Sequence, residues 1–123
     1  MPEYSRIVWH HARNPRRMRT LTGEGVVGGR AGGVHAGPFV QLWALCDEGE
    51  FVELSFETFG CPAAIASGAV LCESLAGRSL SDARSWDIET LLTLLGGLPR
   101  QKRYCAELAI DALTDLLAAI NTE

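Results

Sequence analysis

The feature that most constrains the fold is a twelve-residue stretch, FETFGCPAAIAS at residues 56–67, in which a strand pattern gives way to a helix pattern. Apolar and polar residues alternate over residues 51–59, and this period of two indicates a half-buried strand. Gly60 ends the alternation, and Pro62 suits the first position of a helix, because the N–H group there has no partner within the helix. The chain must therefore turn from sheet into helix at Cys61.

Its position at the turn gives Cys61 a predicted chemistry. Unpaired N–H groups and the positive end of the helix dipole favour a thiolate at a helix start, so we expect the pKa of Cys61 to lie below the ordinary thiol value of about 8.5. Cys105 opens the apolar stripe of the last predicted helix, close to Lys102 and Arg103. The same argument predicts a stabilised thiolate at Cys105.

The other two cysteines are expected to be packing residues. Cys46 ends a strand on its more apolar face, and Cys72 lies on the buried stripe of the helix that starts at Pro62. Four cysteines spread over about sixty residues are typical of reduced thiols rather than of a small disulfide scaffold.

The order of predicted elements indicates the fold class. Strands grouped before helices favour an α+β layer, here a three-stranded antiparallel sheet packed against helices. Seven glycines lie in residues 14–37, where no Gly-Lys-Ser/Thr follows to make a phosphate loop, so this segment is predicted to be a bulged strand or a loop. The elements are a helix at 2–12, strands within 14–37, at 39–46 and at 51–59, and helices at 62–76, 79–86, 88–95 and 101–120.

Composition sets the outer limits. At 123 residues we expect a single domain, 1–123, and a net charge of −4 argues against a nucleic-acid partner. Neither an apolar run of membrane-spanning length nor a signal sequence is present, so we expect a cytoplasmic protein without a membrane partner. Six arginines in residues 6–30 form a basic segment that could dock an acidic protein surface.

A family resemblance rests on the 56–67 motif together with YSRIVWHHARNPR near the start, a Gly-rich segment, and LPRQKRYCAELAIDAL near the end. Over nearly the whole chain these segments resemble the U-type iron-sulfur cluster scaffolds, the IscU proteins and the N-terminal domain of NifU. The resemblance implies the IscU/NifU-N-like (SufE/NifU) fold and a scaffold role in iron-sulfur cluster assembly rather than independent catalysis. It also implies a cysteine desulfurase and apo-protein acceptors as partners.

The resemblance further implies a ligand set. In these scaffolds a cluster or metal is held by a cysteine and an aspartate of a Cys-Gly-Asp turn, by the cysteine of the strand-to-helix motif, and by a late cysteine usually preceded by histidine. Cys61 and Cys105 match the two later cysteines. An Ala-Gly-Pro turn at residues 36–38 replaces the first motif, Tyr104 replaces the histidine, and Glu57 stands where a lysine is common.

Three arrangements of the remaining thiols are open. His35 could supply a third ligand and Asp47 or Glu57 an oxygen, which would make a mononuclear zinc or iron site. Two chains could instead each give Cys61 and Cys105 to one shared two-iron, two-sulfide cluster, as a homodimer. Without metal, the two thiols could receive sulfur as persulfide from a cysteine desulfurase.

The competing function is a metal-free binding or regulatory module. It would dock a cysteine desulfurase or another cluster-assembly partner through the Arg-rich N-terminal segment. Removing either thiol separates the two functions, because a scaffold would lose bound iron, zinc or sulfur, whereas a binding module would keep its affinity for the partner.

Overall fold

The computed structural model describes residues 3–33 and 37–121 and shows one antiparallel sheet. Its strands are β1 (Val27–Gly32), β2 (Phe39–Asp47) and β3 (Glu50–Phe59), in the order β1-β2-β3. Glu48 and Gly49 turn β2 into β3, both with positive φ. The predicted three-stranded antiparallel sheet of an α+β protein is confirmed.

The helices lie against this sheet and against one another. The sheet contacts α5 through β1 and β2 and α2 through β3, while α1 packs against α2. Among the described residues, none of the helices combines the length and the apolar character needed to cross a bilayer. The helices are α1 (Arg6–Arg13), α2 (Pro62–Leu75), α3 (Leu80–Arg84), α4 (Ile88–Leu94) and α5 (Arg103–Asn121), the last preceded by a 3-10 turn (Arg100–Lys102).

Side-chain caps mark the starts of α1, α3 and α4. The Asp87 carboxylate accepts a hydrogen bond from Thr90 N at 2.9 Å, which confirms the predicted cap of α4. The first helix begins at Arg6 rather than at residue 2, because Ser5 caps it by accepting from Val8 N at 3.1 Å. The predicted helix start was wrong, because the apolar spacing was extended toward the N-terminus beyond the residue that caps the helix.

Residues 27–32 of the Gly-rich segment form a regular edge strand. All six residues of β1 pair with β2, from Val27 opposite Ala44 to Gly32 opposite Phe39. A Cβ at Gly29 would lie 2.4 Å from the backbone nitrogen of Leu116, so α5 can cross β1 closely only because this residue lacks a side chain. Glycine here permits helix-on-sheet packing.

Strand β3 contains a bulge that the alternation did not predict. The pairing with β2 shifts between Leu45 and Cys46, and Val52 is the residue left without a partner. As a result Phe51 is buried on the same face as Leu54 and Phe56, and Val52 is 54% exposed. The strict period of two predicted for residues 51–59 puts Val52 on the same apolar face as Leu54 and Phe56, and this is wrong because the extra residue reverses the alternation.

Candidate functional site

The candidate site begins where β3 passes into α2. Cys61 is the N-cap of α2, in an extended conformation, with Pro62 at the first helical position as predicted. Its carbonyl accepts hydrogen bonds from the backbone N–H groups of Ala64 at 2.9 Å and Ile65 at 3.2 Å. The Cys61 side chain is half-buried, so its sulfur remains open to a reagent or a partner.

The second thiol comes from the first turn of α5. Cys105 is only 1% exposed and packs against Ala63 and Ala64 at the start of α2. Its sulfur lies 3.8 Å from the sulfur of Cys61, although the two residues are 44 positions apart in the chain. The contact between α2 and α5 therefore produces a pair of adjacent free thiols.

The two thiols differ in acidity. Burial opposes ionisation of Cys61, but the backbone N–H groups of Ala64 and Ala63, the Cys105 thiol and the Lys102 ammonium together lower its pKa below the ordinary value. This is the direction predicted for a cysteine at a helix start. Cys61 is the member of the pair that ionises more readily.

For Cys105 the predicted thiolate is wrong. Burial, and after it the neighbouring Cys61, raise its pKa to about 12, outweighing the Tyr104 side chain and Lys102, which lower it. The sequence correctly placed Cys105 near the start of a helix. It did not show that the side chain turns inward against the start of α2, where a thiolate loses its hydration.

Other side chains surround the pair. Tyr4 packs beside Cys61, and its phenol pKa is raised by its own burial and by that thiol. Phe59 and Tyr104 lie close to the cysteines in sequence and are 64% and 41% exposed, so two aromatic side chains stand at the surface near the pair. Sequence reasoning missed Tyr4, because no local pattern connects a residue before α1 with a thiol 57 positions later.

Of the other predicted ligands, Asp47 and Glu57 have described positions, and neither joins the pair. His35 and Ala36 lie outside the described residues. Phe39, at one end of β2, pairs with Phe59 beside the thiols. Asp47 is at the other end of β2. Its prediction as an oxygen ligand is wrong, since the length of β2 separates it from them.

Glu57 also points elsewhere. It is exposed and accepts a hydrogen bond from the Thr20 hydroxyl at 3.3 Å. Within residues 3–33 and 37–121, no three His, Cys, Asp or Glu side chains form a group that could hold a metal. The described part of the chain thus offers two donors at this place.

The remaining cysteines pack as expected. Cys72 is fully buried in the core, where burial raises its pKa far above the ordinary value. Cys46 is half-buried near the far end of β2 and contacts the core, and burial raises its pKa as well. Neither has the exposure and lowered pKa of Cys61, so reactivity is concentrated at the pair.

The spacing of the pair fits one edge of a tetrahedral metal site. Two thiolates at about 2.3 Å from a tetrahedral zinc ion lie about 3.8 Å apart. The observed distance between the sulfurs of Cys61 and Cys105 is 3.8 Å. This separation matches two of four tetrahedral corners, and the other two corners require other donors.

Comparisons with known proteins agree on one family. Residues 3–122 match the NifU-like N terminal domain. The iron-sulfur cluster assembly scaffold protein IscU 1 of Archaeoglobus fulgidus is 33% identical over 111 residues, covering 89% of this chain and 71% of that protein. The scaffold protein IscU of Rickettsia prowazekii is 33% identical over 122 residues, covering 94% and 89%.

A solved structure agrees with the fold. The N-terminal part of a nitrogen-fixing NifU-like protein from Brucella abortus superposes with a TM-score of 0.75 at 16% sequence identity, covering 97% of this chain and 94% of that one. At this identity the likeness concerns the fold, and it confirms the IscU/NifU-N-like architecture predicted above.

Proposed function

Because the chain belongs to the family of NifU-like N-terminal domains, we propose that it serves iron-sulfur cluster assembly as a scaffold-type protein, rather than as an independent enzyme, through Cys61 and Cys105. The observation that carries this proposal is the 3.8 Å separation of the two sulfurs. Thiolates are the ligands that iron-sulfur clusters and structural zinc share, and a thiolate is also the acceptor of transferred sulfur.

As a metal-binding element, the pair supplies half of a coordination sphere. Cys61 and Cys105 would hold one iron of a cluster, or one zinc ion, as cargo, and binding would displace the proton that Cys105 retains in the free protein. A two-iron, two-sulfide cluster takes four thiolates, so two chains would share one cluster. His35, if it reaches the pair, would instead favour a mononuclear site on one chain.

As a sulfur acceptor, the pair has a defined order of access. Cys61 is half-buried with a lowered pKa, whereas Cys105 is enclosed. A cysteine desulfurase presenting a persulfide would therefore deliver its sulfur to Cys61 first. A cytoplasmic location, apo-protein acceptors and a desulfurase partner are parts of this proposal.

Anaerobic purification followed by measurement of iron, zinc and acid-labile sulfide tests the metal-binding half. A shared cluster gives about one iron and one sulfide per chain and a dimer in gel filtration, whereas a mononuclear site gives about one metal per chain without sulfide. Cys61→Ser and Cys105→Ser should lose the metal. Cys46→Ser is the matched control, because this thiol lies at the far end of β2. Metal retained in both variants of the pair would refute ligation by these residues.

A second candidate is a metal-free docking module, favoured by the outer face of α1. Trp9 is 36% exposed there, and the Arg13 guanidinium lies 5.3 Å from the centre of its ring. An exposed aromatic residue beside an arginine is typical of a protein contact.

The docking candidate is tested by affinity. If it is the whole function, Trp9→Ala weakens binding of a cysteine desulfurase in a titration, Cys61→Ser leaves binding unchanged, and no metal or sulfur is retained. A cluster or persulfide bound at the pair would contradict it.

A further inference from the structure

We propose that the thiol pair converts accepted sulfur into sulfide: Cys105 attacks the inner sulfur of a persulfide on Cys61, hydrosulfide leaves, and a Cys61–Cys105 disulfide remains. This inference rests on the sulfur-accepting part of the proposed function. It gives the second thiol a chemical role that needs no metal and no additional ligand from the chain.

The geometry assigns the two roles. Phe59 beside Cys61 is 64% exposed, and Cys61 itself is half-buried, so a sulfur donor can reach this thiol from solvent. Cys105 is 1% exposed and is enclosed by Ala63 and Ala64, so among the described residues its sulfur faces that of Cys61. The donor therefore loads Cys61, and Cys105 is the internal nucleophile.

The separation suits the reaction. Reacting atoms in a near-attack arrangement lie about 3–3.5 Å apart, and the sulfurs begin at 3.8 Å. A disulfide bond is about 2.05 Å long, so the two side chains must together close about 1.8 Å. Displacement at sulfur proceeds in line. An attack from the buried side expels the outer sulfur toward solvent, where an iron-loaded partner or a second scaffold could take it.

Atoms and electrons balance within the pair. The S–S bond of the Cys61 persulfide breaks as the Cys61–Cys105 bond forms. The outer sulfur leaves with the electron pair as hydrosulfide, and the proton of the Cys105 thiol is released. Two cysteine sulfurs are oxidised to a disulfide, and the sulfane sulfur is reduced by two electrons to sulfide. One turnover needs no external reductant, and a second turnover needs a dithiol reductant to restore both thiols.

The other thiols cannot replace Cys105. Cys72 is completely buried within the core. Cys46 lies near one end of β2, whereas the other end of β2 pairs with the end of β3 that leads to Cys61. The reaction is consequently intramolecular and specific to one pair. Its rate constant should not depend on protein concentration, unlike resolution of the persulfide by a second chain.

The test gives fully reduced protein one equivalent of cysteine hydropersulfide under anaerobic conditions, followed by intact-mass analysis and a sulfide assay. Wild type should release about one sulfide per chain and become about 2 Da lighter. Cys105→Ser should release at least tenfold less sulfide and carry about 32 Da of additional mass on Cys61. Cys105→Ala repeats the test without a new hydroxyl in the buried position, and Cys46→Ser should behave as wild type.

Three results would overturn the inference: a stable persulfide on wild-type Cys61, movement of the sulfur to Cys105, or equal sulfide release from wild type and Cys105→Ser. The first and second would leave the proposed sulfur acceptance intact. If the wild-type protein, while remaining folded by circular dichroism, neither gains mass nor releases sulfide, sulfur acceptance itself fails, and this inference fails with it.

Discussion

Replacing Gly68 by alanine tests how closely α2 packs against the sheet. A Cβ at Gly68 would lie 2.4 Å from Cδ2 and 2.6 Å from Cε2 of Phe56, whereas ordinary contact begins at 3.4 Å. Phe56 is fully buried, so its ring has no free space into which to move. An overlap of about 1 Å must be relieved by moving α2 away from β3 or by forcing the ring off its rotamer.

The expected loss of stability follows from two opposing terms. Overpacking of a core typically costs about 1–3 kcal/mol, and the enclosed ring places Gly68→Ala near 3 kcal/mol. Alanine offsets about 1 kcal/mol of this cost, because its helix propensity is higher than that of glycine. The net destabilisation is about 2 kcal/mol, which lowers the melting temperature by about 6–10 °C in a chain of this size.

Urea unfolding followed by tryptophan fluorescence measures this change, since the chain has three tryptophans. Phe56→Leu is the matched background, because a smaller side chain removes the overlap. In that background Gly68→Ala should cost little or should stabilise by up to about 1 kcal/mol. An increase in stability on the wild-type background, or an equal cost in both backgrounds, would refute the packing argument.

Three further predictions concern the site and its supports. Iodoacetamide should alkylate Cys61 at lower pH than Cys46, because the thiolate is the reactive form and the pKa of Cys61 is lowered whereas that of Cys46 is raised. Peptide mapping across pH gives both alkylation profiles, and coincident profiles would contradict this prediction. Lys102→Met should move the Cys61 profile to higher pH, since a cation that favours the thiolate is lost, and an unmoved profile would exclude that influence. Ser5→Ala should lower the free energy of unfolding by about 1–2 kcal/mol in a urea titration, because the Ser5 hydroxyl both caps α1 and donates a hydrogen bond to the carbonyl of Leu95. A loss near zero would contradict that role.

Local sequence was sufficient for the elements and for half of the site. The sheet, the helix that starts at Pro62 and the cap at Asp87 follow from periodicity and capping, which depend on residues within a few positions of one another. The lowered pKa of Cys61 was predictable for the same reason, since the helix start that favours its thiolate is built from residues 62–64.

The sequence by itself thus determined the order of strands and helices and the lowered pKa of Cys61. Tertiary structure alone decided that Cys105 turns inward to within 3.8 Å of Cys61, that its pKa rises to about 12, and that the bulge at Val52 returns Phe51 to the core. The physical reason is that burial, desolvation and strand register depend on which distant segments meet. No pattern within one segment reports the surface that another segment will cover.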